Sequence, residues 1–162
     1  MKKILVSLLS VLITATMFGK DYKHSLGMVA GLGIGAQYKT MVMDDFTILA
    51  ELGYFMNLNG GTGAYGGGLG NCVLAYQANI TEGQGIKLDW YIGGQVKMGV
   101  MDGGGFGIFG VGAAGGIEAN MKNAPIAFSL DFRPGYAMLF NGGGAGGHMF
   151  DYSVNLGVRY TF

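Results

Sequence analysis

Charged residues are scarce in this chain, 12% of the sequence, and the ten basic and ten acidic side chains cancel. A water-exposed surface ordinarily carries about 25–35% charged residues, so something other than water is expected to cover much of this protein. No basic cluster stands out, which argues against nucleic acid as a partner. The single cysteine, Cys72, rules out an internal disulfide. Its parity with Leu74, Tyr76, Ala78 and Ile80 reads as a small apolar side chain on an apolar face. Hydrophobic residues make up 50% of the sequence and glycine alone counts 33. Yet beyond the N-terminus there is no run of about twenty apolar residues, the length a membrane-spanning helix needs. The apolar residues are dispersed instead.

At the N-terminus, Lys2 and Lys3 precede an uncharged apolar run from Ile4 to Phe18, closed by Gly19 and the polar stretch Lys20 to His24. That is the tripartite pattern of a secretory signal, short for a spanning helix and wrongly flanked for one. The expected organisation is a cleaved signal peptide over residues 1–19, with the cut near Gly19, and one β-barrel domain over residues 20–162. No cysteine follows the apolar run, so a lipoprotein anchor is not supported.

The dispersal has a period of two. From Asp151 to the end, Tyr152, Val154, Leu156, Val158, Tyr160 and Phe162 share one face, while Asp151, Ser153, Asn155, Gly157, Arg159 and Thr161 share the other. Ile86 to Met101 repeats the pattern, with Leu88, Trp90, Ile92, Val96 and Met98 against Lys87, Asp89, Tyr91, Gln95 and Lys97. Phe128, Leu130, Phe132 and Tyr136 likewise oppose Ser129, Asp131 and Arg133. Helical spacing fits none of these segments as well. A transmembrane barrel reconciles low charge with alternation, because its outer face is apolar and its closed sheet leaves no backbone group unpaired in lipid. Strands are expected at about 22–30, 33–43, 46–57, 63–81, 86–101, 105–122, 126–140 and 147–162. Residues 22–43 keep one parity and read as one strand or two; two gives the even number usual for single-chain barrels. The links Met43–Asp45, Glu82–Gly85 and Lys122–Pro125 are tight and polar, as periplasmic turns should be. Those at Asn57–Gly63, Asp102–Gly105 and Asn141–Gly147 are glycine-rich and belong at the outer end. Pro134 interrupts a central strand and reads as a bulge near the outer rim.

The inner face is expected to hold Lys39, Lys87, Lys97, Arg133 and Arg159 together with Glu51, Asp89, Glu118, Asp131 and Asp151. An eight-stranded barrel is just wide enough inside to be filled by side chains, so these charges should pair in a plugged core. Catalytic and cofactor motifs are missing. Gly31-Leu32-Gly33-Ile34-Gly35 lacks the strand-turn-helix setting and spacing of a dinucleotide fingerprint. His24 and His148, the only histidines, fall at opposite ends of the barrel, which argues against a shared metal. His148 with Ser153 and Asp151 fails as a hydrolytic set because the histidine lies off the face that the other two share. No cofactor and no enzymatic activity are expected.

Several stations along the chain together carry a resemblance: Tyr38-Lys39, Trp90-Tyr91 with Gly93, Gly116-Ile117-Glu118, Ala124-Pro125, Asp131-Phe132-Arg133-Pro134, and Val158-Arg159-Tyr160-Thr161-Phe162. In these the sequence resembles the small eight-stranded outer-membrane β-barrel proteins, the group similar to the membrane domains of OmpA and OmpX. The resemblance implies an all-β, eight-stranded antiparallel up-and-down barrel in a bacterial outer membrane. It implies outer-membrane lipids as surroundings, and the barrel-assembly machinery and periplasmic chaperones as partners during biogenesis. It also implies that Tyr160 and Phe162 form the terminal assembly signal. It assigns no activity. The expected role is non-enzymatic, in envelope structure or surface interaction; the alternatives are a narrow transport or lipid-handling barrel and a lipid-modifying enzyme.

Overall fold

The computed structural model describes residues 23–31, 33–57, 65–102, 107–141 and 144–162. The expected signal peptide lies outside the described residues, as do most of the glycine-rich links after β3 and β5. Eight strands follow in order: β1 His24–Ala30, β2 Gly33–Met43, β3 Phe46–Asn57, β4 Tyr65–Glu82, β5 Ile86–Met101, β6 Gly107–Met121, β7 Ile126–Asn141 and β8 Gly144–Thr161. Each pairs antiparallel with its neighbour in sequence, and β8 returns to β1, so the sheet is a closed up-and-down barrel. Residues 22–43 therefore contain two strands, parted at Gly31.

Alternation decides which side chains go where. On β8, Val154 and Leu156 are 55% and 62% exposed, while Asn155 and Arg159 are 9% and 1% exposed. The same holds around the wall: Ile92, Met98, Val111 and Leu130 face outward, whereas Gln37, Asp89, Gln95 and Asp131 are buried inside. The molecule is polar within and apolar without. Outer aromatic side chains stand toward both ends, and at the end that carries His24 and Phe162 the rings of Phe46, Tyr76 and Trp90 meet edge to face at 5.7 and 5.9 Å. His24 stacks on Tyr38 beside Phe162 at the same end.

The register sets the stagger. Following paired residues from Met28 through Ala36, Leu52, Gly70, Met98, Phe109 and Met138 leads to His148. Met28 itself pairs with Val158, ten residues down the same strand. The strands are tilted by that offset, and the two ends of the barrel are accordingly uneven. Close strand approach is paid for with glycine: a Cβ on Gly93 would lie 2.0 Å from the Leu74 carbonyl oxygen.

Two expectations are corrected. Pro134 sits in mid-strand, not near the rim, and no extra residue accompanies it. It pairs in register with Tyr152, and the ladder to β6 simply lapses between Gly112↔Gly135 and Gly115↔Phe132. The register shift on this hairpin lies higher, between Leu139 and Phe140. There Gly147 adopts φ 151°, a value that favours a residue without Cβ. That irregularity lets β8 begin at Gly144, three residues before the expected start at 147.

Candidate functional site

The lumen holds the charged groups, and adjacent strands position them through parity. Near the terminal end, Lys39 on β2 donates to both oxygens of Glu118 on β6, at 2.9 and 2.8 Å. Arg159 on β8 binds the same carboxylate from the other side. Asp89 lies beside this group and, among the described residues, forms no ion pair. It accepts from the amides of Gln77, Asn79 and Asn120, each at 3.0 Å. Gln77 also accepts from Lys39 at 2.5 Å, which ties Asp89 to the cationic side.

At mid-height, Arg133 on β7 grips Glu51 on β3 through both terminal nitrogens. It also reaches Asp131 two residues along its own strand, at 2.7 and 2.8 Å. Tyr91 donates its phenol to Asp131 at 2.7 Å, and the Asn155 amide reaches the other oxygen at 2.9 Å. Two carboxylates here share one guanidinium. Gln37 links this level to the lower one, donating to Glu51 while accepting from Arg159. Toward the loop end, Lys97 pairs with Asp151. Leu49, Val73, Ala75, Tyr91 and Ala114 pack among these polar groups as a small apolar cluster.

Nine of the ten expected lumen residues enter this lattice. Lys87 does not. Its side chain lies on the inner face but only half-buried. As the second residue of β5 it sits at the open terminal end, and among the described residues it forms none of the ion pairs. The charge balance does not include the neutral connectors Gln37, Gln77, Tyr91, Asn120 and Asn155, although alternation puts Tyr91 and Asn155 on the inner face. Their inward parity was the available signal. Below the lumen, Lys122 bridges the β6–β7 turn to Glu82 at 2.5 Å. The exposed Glu82 carboxyl is held below its ordinary range by that ammonium.

Tyr160 and Phe162 occupy the seam where the barrel closes. Phe162 exchanges backbone hydrogen bonds with His24 in both directions, 2.8 and 3.0 Å, and its ring stacks on Tyr160. His148 lies at the opposite end, stacked on Tyr136 and outside the face of Asp151 and Ser153. On the outer wall, Gly68 and Gly70 leave β4 bare between Leu52 and Met98, part of an apolar depression of about 600 Å³.

Such an arrangement fills and braces a barrel. Among the described residues, Lys39, Lys97, Arg133 and Arg159 are each held by a carboxylate.

No protein-family model matches the chain, and no curated protein is similar to it. Among solved structures it is similar to the crystal structure of Neisserial surface protein A, with a TM-score of 0.52 and 11% identity. The match covers 86% of this chain and 93% of that one. Both are closed eight-stranded barrels in outline, and at that identity the likeness is one of fold.

Proposed function

We propose that this chain is an integral outer-membrane β-barrel protein whose side-chain-filled polar lumen braces the wall, and whose role is non-enzymatic, in envelope structure or surface interaction. One observation carries the reading: the protein is inside out. Arg159 and Gln37 are among its most completely buried large side chains, while Leu52, Leu156 and Met98 stand 73%, 62% and 61% exposed. Water would penalise that outer face, at roughly 25 cal/mol for each Å² of apolar surface. A bilayer core removes the penalty, and a closed barrel satisfies the backbone within it. The aromatic cluster at the terminal end fits the interfacial girdle such barrels carry. The signal-like N-terminus supports export, and the terminal Tyr160 and Phe162 support delivery to the barrel-assembly machinery.

The filled lumen favours bracing over transport. The test is electrophoretic mobility of the protein from isolated outer membranes, in detergent, before and after boiling. A compact form that shifts on heating is the expected result. An unshifted protein found in the soluble periplasm would overturn the reading in favour of a secreted β-protein.

A further inference from the structure

The barrel wall is notched at its loop end. β1 pairs with β8 only from Ser25↔Thr161 to Ala30↔Leu156, while β8 continues to Gly144 and pairs with β7 over that whole length. The chain turns back at Gly31, pressed so close to β8 that a Cβ there would lie 2.6 Å from the Val154 carbonyl oxygen. Above this point, among the described residues, no strand lies on the β1 side of the segment from His148 to Val154. At about 3.4 Å per residue that is an open edge of about 20 Å.

Ladder geometry says which groups are open. Because His24 and Phe162 exchange both backbone bonds, even-numbered residues of β8 direct their N–H and C=O toward β1, and odd-numbered ones toward β7. Continued up the strand, this leaves the N–H and C=O of His148, Phe150 and Tyr152 facing the notch. Natural edges are usually blunted by proline, lysine or a bulge. From His148 to Val154 there is no proline and no lysine, the register is unbroken, and the one charged side chain, Asp151, points into the lumen.

We propose that the free edge of β8 from His148 to Val154 is a docking site for an extended peptide segment of a partner protein, which pairs beside β8 by strand addition. A lipid tail has no donors or acceptors and would leave the open backbone groups unsatisfied. A second copy is excluded on the proposed membrane reading. Two barrels inserted the same way up would bring their β8 strands together parallel and oppositely tilted, so their edges cross instead of pairing. The notch also indicates the chemistry of the segment. Outward side chains of an added strand would lie beside Phe150 and Tyr152, 65% and 52% exposed, and should be apolar. Inward ones would pass over Ser153 and Asp151. Asp151 gives one oxygen to Lys97, and its other oxygen, Oδ1, is buried without a hydrogen-bond partner. This oxygen lies on the β7 side, beside Gly135, so a lysine or arginine in the segment would satisfy it by reaching across β8.

The test uses the full barrel in detergent and an acetylated, amidated peptide of alternating valine and lysine. Without peptide, the amides of Phe150 and Tyr152 should exchange hydrogen faster than those of Asp151 and Ser153; with peptide, they should become protected. Tyr152→Pro, compared with Tyr152→Ala to discount the lost ring and its contact with Phe132, removes a donor from the free edge and spares every β7–β8 backbone bond. It should weaken peptide binding about tenfold while the heat-dependent gel shift persists. Replacing the peptide's lysines with glutamates should weaken binding as well. Amides of Phe150 and Tyr152 already protected without peptide would overturn the proposal, because the chain would then cover its own edge. So would unchanged peptide binding by Tyr152→Pro. A barrel that shows these exchange patterns yet fails to fractionate with outer membranes would instead remove the membrane reading and leave the edge site standing.

Discussion

Arg159 shows how much of this fold rests on single side chains. It is 1% exposed and binds Glu118, Gln37 and Ser129 from one strand. Arg159→Met keeps the volume but leaves Glu118 facing Lys39 alone. Breaking a buried ion pair by removing one partner costs about 3–5 kcal/mol, so the urea midpoint of the folded barrel should drop markedly. Pairing Arg159→Met with Glu118→Gln should recover part of the loss; no recovery would mean the guanidinium acts through packing and not through the pair. Glycine makes a second residue-scale contrast. At Gly93 a Cβ would meet the Leu74 oxygen at 2.0 Å, whereas at Gly68 the nearest atom is a Val100 methyl at 4.0 Å. Gly93→Ala should therefore force neighbouring strands apart at about 1–3 kcal/mol and reduce the heat-modifiable form. Gly68→Ala should leave it unchanged. Equal yields of the two variants would contradict the wall spacing described above.

At the scale of a strand, sequence alternation specified the face of each residue but not its height. Lys87 illustrates the difference. Its parity with Asp89 and Tyr91 placed it inward, and it is inward; only the register reveals that it lies at the open end, opposite Glu82 at the end of β4 and outside the ion pairs of the lumen. Height depends on the ten-residue offset accumulated around eight pairings, which no single segment encodes. Pro134 was readable and was misread. Phe132 and Tyr136 keep the same outward face across it, whereas an inserted bulge residue would have flipped one of them. The unbroken parity already argued for a plain gap in the ladder. The strand faces themselves were legible because one side must satisfy buried polar groups and the other must not. Leu130 tests that division. It stands on β7 between Ile117 and Leu156, 44% exposed. On the membrane reading Leu130→Arg should cost about 2–4 kcal/mol and lower assembled protein in outer membranes, while a normal level would show that this face does not meet lipid.

For the whole molecule, the decisive question is whether the lumen is a brace or a path. Three charged levels lie along the axis: Lys39 with Arg159 and Glu118, then Arg133 with Glu51 and Asp131, then Lys97 with Asp151. Gln37 joins the lower two, and Leu49, Val73 and Tyr91 occupy space between charges. An ion entering would have to displace groups already paired with one another, and an eight-stranded interior offers little room beside them. The purified barrel should accordingly show no stable unitary conductance in a planar bilayer at neutral pH. Arg133 is the most consequential plug, because it alone holds two carboxylates from facing strands. Arg133→Ala would leave Glu51 and Asp131 with neutral donors only and no cation in mid-lumen, where they repel each other and attract cations. Brief cation-selective openings are expected from that variant, together with a loss of stability of about 3–5 kcal/mol. Stable openings from the unaltered protein would mean the lattice is a gate that rearranges, and the lumen would then have to be treated as a conduction path.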